Sequence, residues 1–174
     1  MVANLSSFKD IPTVLRAFAR LRSVRDCRLL ILGEGSERIM LEKLIRELGI
    51  SDSVQLVGFD QNPFRWMARA RVLVSSSPSE GCPNVILQAL ACGLQVVATN
   101  GLGGTAEILE NGRWGRLVPV GDAQSLADAI ADSLDKPLLV DVQERAAMFD
   151  PDRTTKAYLR LLLPGFRAKN SEGF

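Results

Sequence analysis

The chain has 174 residues and a formal net charge of +1, and 47% of its residues are hydrophobic and 24% charged. This length and composition are typical of one globular domain and exclude a disordered tail. The near-zero charge disfavours a nucleic-acid partner, so local groups must hold any phosphate. Because the sequence contains no histidine, Ser-His-Asp and Cys-His catalysis and the common zinc sites are also excluded.

The predicted elements alternate between short apolar runs and helix-length segments. We predict strands at 1–5, 27–33, 54–58, 71–77, 95–99 and 116–120. Helices are expected at 11–24, 36–50, 63–70, 84–93 and 122–134, with further helical segments to about Leu163. Ser36 and Asn84 are the expected N-caps of their helices, and Gly49 is the expected C-terminal stop of the 36–50 helix.

Strands that are apolar throughout and joined by helices indicate a parallel sheet covered on both faces. The predicted fold class is therefore α/β, with a doubly wound, mostly parallel sheet of about six strands. We expect a Rossmann-like domain over 1–150 and a C-terminal helix with a frayed tail over 151–174. Ligands bind such sheets at the carboxyl ends of the strands, which directs attention to the loops 4–9, 33–36, 75–84 and 99–107.

The turn Gly33-Glu34-Gly35 follows a strand and opens a helix, as a dinucleotide-binding turn does. Arg38 stands where the fingerprint has its third glycine, and the turn does not follow the first strand. A nicotinamide-dependent oxidoreductase is therefore a weak alternative. The turn itself is either a structural connection or one whose amides face an anion.

The segment 77–93, SPSEGCPNVILQALACG, carries the strongest functional signal. Its polar loop presents Glu80, and Pro83 and Asn84 begin a helix whose N–H groups point back at that loop. Gln88 lies about one turn into the helix, and its side chain leans toward the helix N-terminus. These groups suit a phosphate-bearing polyhydroxyl ligand. A capped surface helix with a solvated glutamate is the structural alternative.

The pattern S-x-x-EG-x-PN-x-x-x-Q-ALACG-x-x-VVAT-x-x-x-GG-x-x-E-I resembles the signature of the retaining family-4 glycosyltransferases of GT-B fold. The hallmark of that family is Glu-x7-Glu followed by a pair of glycines. The opening VANLSSFKDIPTVLRAFARL is similar to the family's first strand, phosphate loop and first helix, so the resemblance covers nearly the whole chain.

The resemblance implies a nucleoside-diphosphate sugar as the donor, bound without a metal or other cofactor. Glu80 would contact the transferred sugar, and Lys9 would neutralise the diphosphate leaving group. Position 88 would bind the ribose hydroxyls, and Gly58 and Phe59 would lie beside the nucleobase. Backbone near the sugar and diphosphate would come from Gly81, Cys82, Pro83, Asn84, Gly103 and Gly104.

Two positions depart from the family pattern. Gln88 replaces the second glutamate and keeps an acceptor oxygen without its charge, a difference on the order of 1 kcal/mol for a hydrogen bond. Asn4 occupies the place where many relatives carry an arginine beside the lysine. Either Lys9 alone or Lys9 with Arg38 would then balance the negative charge of the diphosphate.

The resemblance implies an enzyme half that transfers a sugar with retention of configuration and is inactive in isolation. The acceptor, a glycan or a lipid-linked molecule, would be held by an N-terminal GT-B domain that these 174 residues do not include. A non-catalytic or regulatory module that binds nucleotide sugars is the alternative. With no stretch of about 20 apolar residues and no signal-peptide pattern, we expect a cytoplasmic protein, with the full enzyme possible at the inner face of the membrane.

Overall fold

The computed structural model describes residues 1–163, in which helices and parallel strands alternate along the chain. The helices are α1 Ile11–Arg22, α2 Arg38–Glu47, α3 Phe64–Met67, α4 Asn84–Ala91, α5 Gly104–Ile108, α6 Ala123–Asp135, α7 Val142–Ala147 and α8 Pro151–Leu162. The strands are β1 Leu29–Leu32, β2 Val54–Gly58, β3 Val72–Ser75, β4 Ser79–Glu80, β5 Gln95–Thr99, β6 Leu102–Gly103 and β7 Arg116–Val118. Single turns of 3-10 helix lie at Ser7–Lys9 and Glu110–Gly112.

Each pair of named strands in the described part of the chain is parallel. β1 pairs with β2, β5 lies between β3 and β7, and β4 pairs with β6. Leu29 and Ile31 stand opposite Val54 and Leu56, so register follows the apolar pattern. The predicted parallel α/β architecture is therefore confirmed.

Alternate residues of these strands point to opposite faces of the sheet and enter two different hydrophobic cores, as expected for a doubly wound sheet. Val74 of β3 and Val97 of β5 pack with apolar residues of α1, α2 and α6. Leu73 and Val96, their neighbours along the same strands, pack with residues of α3, α4, α5 and α7. Helices thus cover both faces of the sheet, which explains why these strands are apolar at nearly every position.

The predicted first strand, 1–5, forms only a single parallel bridge, between Val2 and Leu32. Its backbone bonds are Leu32 N–H to Met1 O at 3.0 Å and Ala3 N–H to Leu32 O at 2.9 Å. The Leu5 N–H continues this ladder by donating to the Glu34 carbonyl at 2.9 Å, and the chain then enters the 3-10 turn. In the described residues, 1–5 pair with β1 but not with β3, so the groups β1–β2 and β3–β5–β7 are separate instead of forming one sheet of six strands.

Both predicted N-caps are wrong, whereas the predicted helix stop is confirmed. α2 begins two residues after Ser36, because the Glu37 N–H bonds to the Leu5 carbonyl at 2.9 Å and delays the helix. Asn84 is itself the first residue of α4, and Pro83 precedes it without a side-chain cap. Gly49 follows the end of α2 with φ of +66°, the left-handed conformation expected there.

α8 lies at the end of the described residues and leaves its apolar side chains, among them Tyr158 and Leu161, exposed. The tail predicted after Leu163 lies outside the described residues. Within 1–163, each helix is too short or too polar to span a bilayer.

Candidate functional site

Lys9 and Glu80 form an ion pair although 71 residues separate them in the sequence. The Lys9 Nζ donates a hydrogen bond to Glu80 Oε1. The lysine side chain is 27% exposed and the glutamate side chain 18%, so the pair is largely but not fully buried. The structure thus brings into direct contact Lys9 and Glu80, the two residues that were expected to be catalytic.

The pKa of Glu80 is set by opposing influences. Partial burial raises the pKa, whereas the Lys9 ammonium and the Ser77 hydroxyl lower it, and the net result lies below the ordinary value for glutamate. The carboxylate is therefore ionised at neutral pH. It can accept hydrogen bonds from hydroxyl groups but cannot act as a general acid.

Two hydroxyl groups that the sequence did not single out hold this pair in place. The Ser76 hydroxyl donates to the Lys9 carbonyl at 2.6 Å, which ties the 3-10 turn to the loop after β3. The buried Thr99 hydroxyl donates to the Ser77 carbonyl at 2.8 Å, which ties that loop to the end of β5. The run of serines at the end of a strand was the sequence feature that could have pointed to this role, since small hydroxyl side chains there commonly form hydrogen bonds with backbone groups.

Gly103 is required by the backbone that presents Glu80. The two residues are partners in the short β4–β6 pair, and Gly103 has φ of +104° and ψ of −145°. A Cβ at Gly103 would collide with the Glu80 carbonyl oxygen, and one at Gly104 would lie 2.5 Å from the Gly81 oxygen. The two predicted glycines therefore allow the backbone segments to pack closely, at positions where there is no space for a side chain.

The segment between Glu80 and α4 presents the other predicted backbone groups. Gly81, Cys82 and Asn84 are exposed, while Pro83 is buried. The Asn84 N–H already bonds to the Cys82 carbonyl at 2.9 Å. Because α4 begins here, its positive dipole end lies directly after the loop that carries Glu80.

A second group of predicted residues meets in a cavity of about 620 Å³. Asn4, Phe59 and Gln88 line it together with Gly33 and Glu34. The Phe59 ring is 76% exposed, which leaves its face open to a planar ligand. The rest of the wall comes from the segment that follows β2: Asp60, Gln61, Pro63 and Phe64.

The cavity and the ion pair are connected through two short stretches of chain. Asn4 in the cavity is five residues before Lys9, and Gln88 is eight residues after Glu80. Of the residues that the resemblance assigned to the nucleoside, Phe59 and Gln88 line the cavity and Gly58 does not, whereas Lys9 and Glu80, assigned to the diphosphate and the sugar, meet at the ion pair.

Asp60 is a member of the cavity wall that sequence reasoning missed. Its Oδ2 accepts from the Trp66 indole N–H at 2.7 Å and from the Arg65 guanidinium at 2.5 Å. The Trp66 hydrogen bond, the Asn62 backbone N–H and Arg65 lower the pKa of Asp60 to about 2 against a smaller opposing effect of desolvation. The sequence Asp60-Gln-Asn was the available signal, since aspartate often accepts from the amide two residues later.

The turn Gly33-Glu34-Gly35 is mainly a structural connection. The Gly33 N–H donates to the Gly58 carbonyl at 2.8 Å, and the Glu34 carbonyl accepts from the Leu5 N–H at 2.9 Å. Arg38, the candidate second cation, pairs with Glu34 at 2.7 Å and with Glu42 at 3.1 Å. The structure therefore leaves Lys9 as the cation placed beside Glu80.

Comparison with known proteins identifies the family. The family model described as glycosyl transferases group 1 matches residues 1–136. The chain belongs to the glycosyl transferases group 1 family.

Curated relatives extend well beyond the region that this chain matches. The chain is 34% identical over 167 residues to N-acetylgalactosamine-N,N'-diacetylbacillosaminyl-diphospho-undecaprenol 4-alpha-N-acetylgalactosaminyltransferase of Campylobacter jejuni, covering 93% of this chain and 45% of that protein. It is 36% identical over 160 residues to the lipopolysaccharide core biosynthesis glycosyltransferase LpsE of Rhizobium meliloti, covering 88% and 46%. The chain thus spans less than half the length of these relatives.

Solved structures share the fold. The Anabaena protein Alr3699/HepE in complex with UDP superposes with a TM-score of 0.84 at 24% identity, over 92% of this chain and 47% of that one. Sucrose-phosphate synthase from Thermosynechococcus elongatus superposes with a TM-score of 0.81 at 27% identity, over 94% and 46%.

Proposed function

We propose that this chain is the donor-binding half of a glycosyltransferase that takes its sugar from a nucleoside diphosphate. The observation that carries the proposal is the Lys9–Glu80 pair at the start of α4, joined by short chain segments to the 620 Å³ cavity. One end of this arrangement offers charge to a diphosphate, and the other offers an aromatic face and amides to a nucleoside.

Each part of the donor has a matching group. Lys9 and the α4 N-terminus complement the diphosphate, since cations and helix N-termini both favour anions. The ionised Glu80 accepts hydrogen bonds from sugar hydroxyls. Phe59 stacks on the base, and the Gln88 amide oxygen accepts from the ribose. The Anabaena relative binds UDP and UDP-glucose, as its structures are described, so a uridine nucleotide is the first candidate to test.

The proposed reaction transfers the sugar with retention of configuration. Negative charge builds on the diphosphate as its bond to the sugar breaks. The preorganised ammonium group of Lys9 stabilises the diphosphate more strongly as this charge grows. Glu80 meanwhile holds the sugar by hydroxyl contacts, which keeps the reacting carbon in one position. This chemistry requires neither a metal ion nor another cofactor.

The acceptor is proposed to bind to a second domain, supplied by the part of the relatives that this chain does not match. The Campylobacter relative acts on an undecaprenol-linked substrate, as its name states, so a lipid-linked acceptor at the inner face of the membrane is our proposal here too. Without that second domain no acceptor is held near the donor, and we expect this chain by itself to bind donor without transferring sugar.

A non-catalytic nucleotide-sugar-binding module is the second candidate. Gln88 in the cavity favours it, because a neutral amide binds ribose hydroxyls less strongly than a carboxylate does. An assay of sugar transfer by the parent and by Gln88→Glu, each with the second domain present, separates the two. An active transferase transfers sugar already as the parent, whereas a binding module transfers none in either form.

The direct test is saturation-transfer NMR of the 174-residue chain with UDP, GDP and ADP and their glucose conjugates. We expect one nucleotide to show saturation at base and ribose protons, and Phe59→Ala to abolish the base signal. Phe8→Ala, which removes another exposed phenylalanine that does not line the cavity, is the matched control. Equal signals from all three nucleotides, unchanged by Phe59→Ala, would refute the site.

A further inference from the structure

The short helix α7 holds the far ends of the two helices that flank the Glu80 loop, residues 80–83. α4 begins directly after this loop, and α5 begins directly after Gly103, the strand partner of Glu80. Side chains of α7 donate hydrogen bonds to the last carbonyl groups of both helices. The Glu80 loop is thus bounded by two helices, and α7 contacts each of them at the end remote from the loop.

Arg145 of α7 makes the most extensive of these contacts. Its Nε donates to the Ile108 carbonyl at 2.8 Å, and its Nη2 donates to the Glu107 carbonyl at 2.7 Å. Its Nη1 forms an ion pair with Glu110 at 2.8 Å, and the guanidinium carbon lies 4.8 Å from the centre of the Phe149 ring. The arginine side chain is only 10% exposed, so water cannot readily replace these bonds if the side chain is removed.

The position of Arg145 suits the electrostatics of a helix C-terminus. The last carbonyls of a helix have no partner within the helix and carry partial negative charge, which a cation stabilises. A guanidinium presents its donors in a fixed planar fork, so it can bond two neighbouring carbonyls at once, as Arg145 does here. Because α5 has only five residues, few internal hydrogen bonds hold it. We therefore expect the orientation of α5 to depend strongly on Arg145.

The other end of α5 packs against the Glu80 loop without spare room. Gly103 is paired with Glu80 in the β4–β6 ladder, so closely that a Cβ at this position would collide with the Glu80 carbonyl oxygen. Gly104, the first residue of α5, lies against the Gly81 carbonyl oxygen, which a Cβ would approach to 2.5 Å. Interiors packed this closely transmit displacements from one segment to the next. A shift or a tilt of α5 would therefore move the backbone that carries Glu80.

α7 holds the helix on the other side of the loop as well. The Gln143 Nε2 donates to the carbonyl of Ala91, the last residue of α4, at 2.9 Å. Val142, the first residue of α7, is buried in the core that contains residues of α4 and α5. α7 therefore fixes the ends of these two helices relative to each other, and the Glu80 loop lies between their beginnings.

We propose that Arg145 is a positioning residue for Glu80, acting through α5 and the β4–β6 pair without contacting the donor. The inference rests on the proposed function, in which Glu80 accepts hydrogen bonds from the sugar. Arg145 does not line the 620 Å³ cavity assigned to the nucleoside. Loss of Arg145 should therefore weaken the contribution of the sugar to donor binding and spare that of the nucleoside.

The tests compare Arg145→Met with Arg116→Met. Both substitutions keep an apolar stem and remove a guanidinium that bonds carbonyls at the end of a helix. Arg116 donates to the Asp132 and Lys136 carbonyls at the end of α6, a helix that does not flank the Glu80 loop, so it is the matched control. Arg145→Lys keeps the charge but loses the planar fork, and should show the changes of Arg145→Met to a smaller extent. It replaces Arg145→Met in both tests if the methionine variant does not fold.

The first test is hydrogen exchange by NMR and needs no ligand. The Leu102 N–H of β6 donates to the Pro78 carbonyl at 2.9 Å, so its exchange rate reports how firmly β6 is held against the segment that leads to Glu80. Exchange at Val97, in the middle of the central strand β5, reports unfolding of the whole domain. Relative to Val97, Leu102 should exchange about tenfold faster in Arg145→Met than in the parent, and at the parental rate in Arg116→Met. Equal relative rates in the two variants would overturn the proposal.

The second test is calorimetry with UDP and UDP-glucose, in which the ratio of the two dissociation constants measures what the sugar contributes. Arg145→Met should reduce the preference for UDP-glucose about threefold or more without weakening UDP binding, whereas Arg116→Met should leave the preference unchanged. A purely structural role would weaken both ligands alike, and that result would overturn the proposal. Equal affinities of the parent for UDP and UDP-glucose would instead contradict the proposed contact of Glu80 with the sugar, and the exchange rates at Leu102 would still decide whether Arg145 holds the Glu80 loop.

Discussion

Replacing Lys9 by methionine should weaken nucleoside-diphosphate binding, and replacing Glu80 by glutamine should strengthen it. Lys9 is paired with Glu80 in the absence of ligand, so a diphosphate must compete for an ammonium group that already has an anionic partner. Lys9→Met removes the cation but keeps the length of the apolar stem. Glu80→Gln keeps the shape of the side chain but removes the competing charge and one negative charge near the phosphates.

The magnitudes follow from the partial burial of the pair. A hydrogen bond to a charged group contributes about 1.5–3 kcal/mol, and a partly exposed ion pair lost on binding offsets this by up to about 1 kcal/mol. Lys9→Met should therefore reduce the free energy of UDP binding by about 1.4 kcal/mol, which corresponds to about tenfold weaker binding. In Glu80→Gln the diphosphate no longer has to displace a full ion pair, so UDP should bind about threefold more tightly. The contact between position 80 and the sugar of a sugar nucleotide is weakened, because a neutral amide replaces the carboxylate.

Isothermal titration calorimetry with UDP, and with the sugar nucleotide that binds best, measures these changes. Lys43→Met is the matched control, because Lys43 is an exposed lysine paired with Glu47 on α2 and does not line the cavity. Melting temperatures within a few degrees of the parent would show that the fold is intact. If Lys9→Met binds UDP as tightly as Lys43→Met does, the competition argument fails and the diphosphate does not bind at this pair.

Three further outcomes test the structure around the site. Gly103→Ala should destabilise the fold by about 1–3 kcal/mol more than Gly112→Ala in urea unfolding, because both have φ near +105° but only Gly103 faces a carbonyl oxygen; equal losses would remove the packing argument. Since the pKa of Asp60 is lowered to about 2, its contribution to stability is present above pH 4 and lost between about pH 4 and pH 2. Asp60→Asn should therefore show a smaller drop in unfolding free energy over that range, and identical curves would contradict the assignment. Asp122→Ala should lower the free energy of unfolding, because Asp122 caps α6 through two backbone amides, and Asp128→Ala on the exposed face should lower it less in the same unfolding assay.

The sequence by itself determined the order and type of most elements and the identity of the residues that could bind a ligand. The apolar runs that became β1, β3 and β5 require cover on both faces, and this requirement predicts a parallel sheet between helices. Glu80 stood out because an acidic residue in a polar loop before a helix is a local pattern, whereas Lys9 was implied by the resemblance to the glycosyltransferases. Local patterns of this kind depend on neighbours within a few residues and can be read without coordinates.

Only the tertiary structure decided which of these residues meet. The Lys9–Glu80 pair and the Glu80–Gly103 register join parts of the chain that no local rule connects. The same reason explains the wrong helix starts: backbone contact with Leu5 replaced the side-chain cap predicted for Ser36. It also explains the interruption at Val2, where an apolar run that reads as a full strand forms a single bridge. A strand needs partner backbone along its whole length, and how much partner backbone is present is decided by the packed fold, not by the apolar run itself.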